Sequence, residues 1–185
     1  MATITNIFTI LLLIISSSYI PLTIPHQFSK KDFGPRQKMT NLHFYFYDKP
    51  SSPNPTAKVI VNGTAPTFFG TVVMIDDALL AGPHPNSKII GRAQGFYASA
   101  DQTIEPALLM VVNYVFTYGK YNGSSLSVLG RNPVLHTVRE MPILGGTGAF
   151  RFARGFALAS TKWGNKLGDA IVEYNVTILH FENYN

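Results

Sequence analysis

With 185 residues, 46 % of them apolar and only 14 % charged, the chain has material for one well-packed domain, which excludes a disordered or polyelectrolyte protein. The net charge of +5 is partly local: Lys30, Lys31, Arg36 and Lys38 stand against Asp32 alone, and the rest is nearly balanced, so a nucleic-acid partner is unsupported. Cysteine is absent, which removes disulfides, thiolate metal sites and cysteine nucleophiles together.

Residues 1–25 carry no charged side chain. The apolar run from Ile7 to Ile15 is short for a membrane span and leads into Ser16, Ser17 and Ser18. That layout predicts a secretory signal peptide over 1–18, although no Lys or Arg precedes the apolar run. Residues 19–40, with Pro21, Pro25, Pro35 and the basic cluster, read as a flexible arm, and the folded domain is expected over 41–185.

From Asn41 onward, Gly, Pro and Asn punctuate short segments rich in Val, Ile, Phe, Tyr and Thr. Strands are expected near 41–48, 57–62, 68–76, 88–99, 107–118, 124–131, 134–141, 149–161 and 169–181, the spacing of an all-β sandwich or barrel. An even-stranded barrel has no place for a ninth, so one run is expected to be a loop or part of its neighbour. The last strand alternates most clearly: Ala170, Val172, Tyr174, Val176 and Ile178 share one face and Asn175 points outward. Other strands are apolar on both faces, which predicts a closed barrel covered outside by neighbouring subunits, a homo-oligomer.

Familiar catalytic patterns are missing. Gly145-Gly146-Thr147-Gly148 lacks the ending and the following helix of a phosphate loop and reads as a tight turn using positive φ. The five histidines show no metal-ligand spacing, and His136, alternating with Val134 and Val138, reads as a strand residue. Neither GxSxG nor HExxH occurs. Three sequons, at Asn62, Asn122 and Asn175, behind a signal-like leader favour a secreted glycoprotein.

The motifs FYFYD (44–48), VVMIDDAL (72–79), GRAQGFY (91–97), LGRNPV (129–134), VREMPILGGTGAFRFARG (138–155) and VEYNVTILHF (172–181) together resemble the plant dirigent family. The resemblance implies an eight-stranded antiparallel β-barrel of the dirigent and allene-oxide-cyclase kind, with a deep apolar pocket, forming homo-dimers or homo-trimers. It also implies a glycoprotein secreted to the apoplast and cell wall. Such proteins need no cofactor and oxidise nothing themselves. A separate oxidase, a laccase or peroxidase, makes phenoxy radicals from a monolignol such as coniferyl alcohol, and the chiral cavity couples two of them stereoselectively into a lignan. The alternative within the family is a lyase or cyclase that dehydrates an isoflavanol to a pterocarpan through a quinone methide.

Both activities require an acid beside an electrophilic quinone methide, and an apolar pocket raises a carboxyl pKa toward that task. Asp48 shares strand parity with Leu42, Phe44 and Phe46; it is either a turn aspartate beside Lys49-Pro50 or, as the resemblance implies, the pocket acid. Arg139 is either an exposed partner of Glu140 or the family's pocket arginine, with Thr137 and Met141 on its face. Tyr97 and Thr161 either pack in the core or at the rim or, as the resemblance implies, present their hydroxyls to substrate in the pocket. Phe46, Val112 and Phe152 read chiefly as packing, with Phe46 also placed to touch substrate. Pinoresinol-forming members carry an aspartate where this chain has Asn132, in Gly130-Arg131-Asn132-Pro133. Asn132 exchanges hydrogen bonds with substrate but cannot lend a proton as an acid. The GRNPV form resembles the b/d-type branch, which includes the pterocarpan formers.

Overall fold

The computed structural model describes residues 36–103 and 105–181; the expected signal peptide and nearly all of the expected arm lie outside them. Nine strands run in chain order: β1 (Gln37–Asp48), β2 (Ala57–Val61), β3 (Val72–Leu80), β4 (Ile89–Ser99), β5 (Ala107–Phe116), β6 (Ser125–Pro133), β7 (Arg139–Thr147), β8 (Arg154–Gly164) and β9 (Ala170–Phe181). From β3 to β9 each strand pairs antiparallel with the next. β1 then closes the circle by pairing with β9 along its whole length and with the end of β3. Eight strands form the barrel, and closure leaves them no free edge. The ninth, β2, lies alongside the first half of β3, where β1 does not reach.

Period-two alternation decides which side chains enter the barrel. Phe44, Tyr114, Phe116, Phe150 and Tyr174 fill its middle, with Phe44 edge-on to Tyr114 and stacked on Tyr174. The predicted faces of β1 and β9 are as observed: Phe44 and Phe46 are inside, and Asn175 is exposed.

Strand limits differ from expectation where turns compete. β1 begins at Gln37, inside the expected arm, because it pairs with β9 out to Phe181. β3 runs over 72–80 rather than 68–76, since Phe68 and Gly70 take positive φ and turn the chain first. β6 continues through Pro133, and 134–138 form the turn into β7. His136 and Thr137 are therefore exposed turn residues. Gly145 and Gly146 belong to β7; of the four-residue cluster only Gly148 has positive φ. Phe152 is not packed inside: it has a φ of 61° and is largely exposed, whereas Val112 is core.

Candidate active site

One end of the barrel gathers the predicted site residues. Asp48 closes β1, Tyr97 is near the end of β4, Asn132 near the end of β6, Arg139 opens β7 and Thr161 is late in β8. With Phe46 they border a cavity of about 150 Å³. Val172 gives it an apolar wall together with Leu108 and Met110, which the motifs had not singled out.

Asp48 points inward, as its parity with Phe46 requires, and its Oδ2 accepts a hydrogen bond from the Tyr97 hydroxyl at 3.0 Å. Its Oδ1 is buried with no partner among the described residues. Burial raises the carboxyl pKa to about 6; the Tyr97 hydrogen bond pulls it down, and the Asp169 charge adds to the rise. Tyr97 shifts the same way: burial, then the neighbouring Asp48, push its phenol well above the ordinary range. The pair therefore consists of an acid poised at mildly acidic pH and a phenol that stays protonated.

Arg139 is only 4 % exposed, and Asn132 6 %. The guanidinium donates from Nε to Asn132 Oδ1 at 3.1 Å and from Nη1 to Thr161 Oγ1 at 2.9 Å. A longer bond of 3.4 Å runs from Nη1 to the His136 carbonyl. Glu140 lies on the opposite, exposed face, so the alternative of an Arg139–Glu140 pair does not form. Among the described residues no carboxylate reaches Arg139 within ion-pair distance. Burial alone lowers its pKa, offset by Tyr174. A buried cation held only by neutral groups is suited to an oxygen that gains negative charge during a reaction.

Arg131, adjacent to Asn132, points outward and pairs with Glu105, which also meets His136. That cluster ties the turn carrying the His136 carbonyl to the segment before β5, outside the cavity.

Asp77 is a residue the motif reading left without a role. It is fully buried on the inward face of β3, after Val73 and Ile75 and before Leu79. Burial, and then the Asp48 charge, raise its pKa to about 8. The Thr56 hydroxyl lowers it somewhat from nearby, yet no hydrogen bond of good geometry reaches either carboxyl oxygen. The alternation through VVMIDDAL held the signal. The expected strand end at 76 hid it.

The family model for dirigent-like proteins matches residues 39–179, almost the whole described barrel. The chain belongs to the dirigent family. Among dirigent relatives, Dirigent protein 21 of Arabidopsis thaliana is 55 % identical over 148 residues, covering 77 % of this chain and 78 % of that protein. Pterocarpan synthase 1 of Glycine max is 49 % identical over 156 residues, covering 78 % and 81 %. The solved structure of the pterocarpan synthase dirigent protein GePTS1 superposes with a TM-score of 0.76 at 44 % identity, over 81 % of this chain and 89 % of that one. The dirigent fold expected from the motifs is thus the fold of the molecule.

Proposed function

We propose that this dirigent barrel makes and steers a quinone methide from a single phenolic substrate, dehydrating a benzylic alcohol of the isoflavanol type and closing the ring as a pterocarpan synthase does. Asp48 gives its proton to the benzylic hydroxyl, the C–O bond breaks, and water leaves. The benzylic cation that remains is the protonated quinone methide, stabilised by the para oxygen of its ring. A phenol elsewhere in the same molecule attacks that carbon, and its proton returns to Asp48, so the acid is restored and the net change is loss of water. Arg139, held by Asn132 and Thr161, faces the oxygen whose charge changes. The carrying observation is a half-buried acid, its pKa raised to about 6, bordering the same cavity as a buried arginine that no carboxylate of the described residues pairs with.

The second reading, stereoselective coupling of two oxidase-made monolignol radicals to a lignan, draws support from family membership. Similarity favours the first: the solved structure that superposes at 44 % identity is a pterocarpan synthase. Asn132 in place of an aspartate counts against a pinoresinol product in particular.

Secretion belongs to the same reading. Asn62, Asn122 and Asn175 are all exposed, as glycan acceptors must be.

Purified protein given an isoflavanol alone, and separately coniferyl alcohol with a laccase, tests the pair by chiral chromatography. Rapid dehydration with racemic lignans is the expected result. An enantiomerically enriched lignan with no dehydration would overturn it in favour of coupling.

A further inference from the structure

The closing seam of the barrel sets two acids face to face. β1 and β3 pair with Tyr45 opposite Leu80, Phe46 opposite Leu79 and Tyr47 opposite Ala78. Asp48 and Asp77 are the next residue of each strand beyond that last pair, where the Thr56 backbone bonds to Lys49 on one side and Asp76 on the other. Both side chains point inward by the alternation of their own strands, near enough for the Asp48 charge to act on Asp77.

Three of the four buried side-chain polar atoms without a partner among the described residues belong to this pair: Asp48 Oδ1 and both oxygens of Asp77. Two carboxylates so placed are untenable, because each oxygen only accepts and like charges repel without water between them. One proton changes both facts. A protonated carboxyl becomes a donor, and the second charge disappears.

We infer that Asp77 is a positioning residue that holds a proton and donates it as a hydrogen bond to Asp48 Oδ1, so that the two carboxyls act as a dyad sharing one proton after Asp48 has given up its own. The inference rests on Asp48 being the acid of the proposed reaction. Asp77 does not touch substrate; it does not border the cavity. Its part is to stabilise the Asp48 carboxylate left by proton transfer, with Tyr97 bonding the other oxygen. The remaining polar and titratable groups around the dyad are accounted for. Tyr97 faces it from β4 and Tyr174 from β9, the Thr56 hydroxyl lies near Asp77, and Asp169 acts on Asp48 from the turn before β9. Asp76 and Arg92 pair with each other on the outer face. The two titrations then belong to the pair, with steps at about 6 and about 8.

Carboxyl ¹³C NMR titration of aspartate-labelled protein reads this directly, with Asp48→Asn and Asp77→Asn identifying the two signals. In Asp48→Asn the upper titration should move down by about one unit or more, because the facing charge is gone. In Asp77→Asn a single titration near 6 should remain, since an amide N–H replaces the donor. In Asp77→Leu, which has no donor, it should rise, and the pH at which activity falls should rise with it. A buried aspartate of merely structural role would leave both limbs unmoved. An Asp77 titration unchanged by Asp48→Asn would overturn the dyad, even in a protein that dehydrates isoflavanols well. Coupled titrations in a protein that dehydrates nothing would uphold the dyad and remove the proposed reaction.

Discussion

A carboxyl that serves as an acid must still carry its proton at the working pH. Asp48, raised to about 6, does so in mildly acidic solution, and activity should fall as pH rises through that value. Asp48→Asn should lower the dehydration rate by about 10²–10⁴-fold with the circular dichroism of the barrel unchanged, read as product per unit time. Arg139→Lys keeps a charge but cannot span Asn132 and Thr161 with one planar fork, so kcat/KM should drop at least about tenfold. The two raised acids also set the pH dependence of stability. Each binds its proton more tightly folded than unfolded, so its contribution is complete below about pH 4 and is lost as pH rises through about 6 for Asp48 and about 8 for Asp77. The loss runs at about 1.4 kcal/mol per pH unit for each group inside its own window. The lowered carboxyls Asp76, Asp101, Glu105, Asp169 and Glu173 act oppositely, losing their contribution as pH falls below the usual range. Thermal melts should therefore show a maximum near pH 4–5 and a decline toward pH 8, and Asp77→Asn should flatten the decline between 6 and 8.

Elements place these residues, and the sequence discloses an element's faces better than its ends. The parity of Phe44, Phe46 and Asp48 holds within one strand, so it was legible from five letters. The limits of β3 were not, because its start follows a turn fixed from outside: Gly70 N–H bonds to the Ser99 carbonyl, and Ser99 N–H to that of Thr71. A boundary four residues too early left Asp77 unread. Arg139 could be matched to a pocket role through its motif, but its bonds to Asn132 and Thr161 depend on three strands meeting in register. Backbone approach is equally hidden. A Cβ on Gly155 in β8 would sit 2.0 Å from the Thr177 carbonyl oxygen of β9, and one on Gly95 in β4 would sit 2.1 Å from that of Val111 in β5. These positions let neighbouring strands bend together where the barrel curves. Gly155→Ala should cost about 2 kcal/mol or more in urea unfolding, because backbone must move to admit one methyl.

At the scale of the whole molecule, the outside of the barrel is as ordered as its inside. Met74 pairs with Phe96, Phe96 with Val111, and Val111 with Leu129. One residue past the Val128–Ile143 pairing brings Pro142 beside Leu129, and Pro142 pairs with Phe156. Six neighbouring strands thus carry one outward apolar row, flanked by exposed Leu109 and Leu144. A solvated barrel gains nothing from such a row, whereas a second copy laid against it removes apolar surface at about 25 cal/mol per Å². We propose that this face joins copies of the chain into the expected oligomer. Five of the six strands, β4 to β8, also line the candidate cavity from inside, so association would also stiffen the wall carrying Asn132 and Arg139. Leu129→Lys combined with Leu144→Lys places one charge in the row, one at its flank and no side chain in the cavity. Light scattering after size exclusion should show an oligomer for the parent chain and a monomer for the double variant, with the circular dichroism of the two alike. A double variant of unchanged mass would send the interface elsewhere on the barrel.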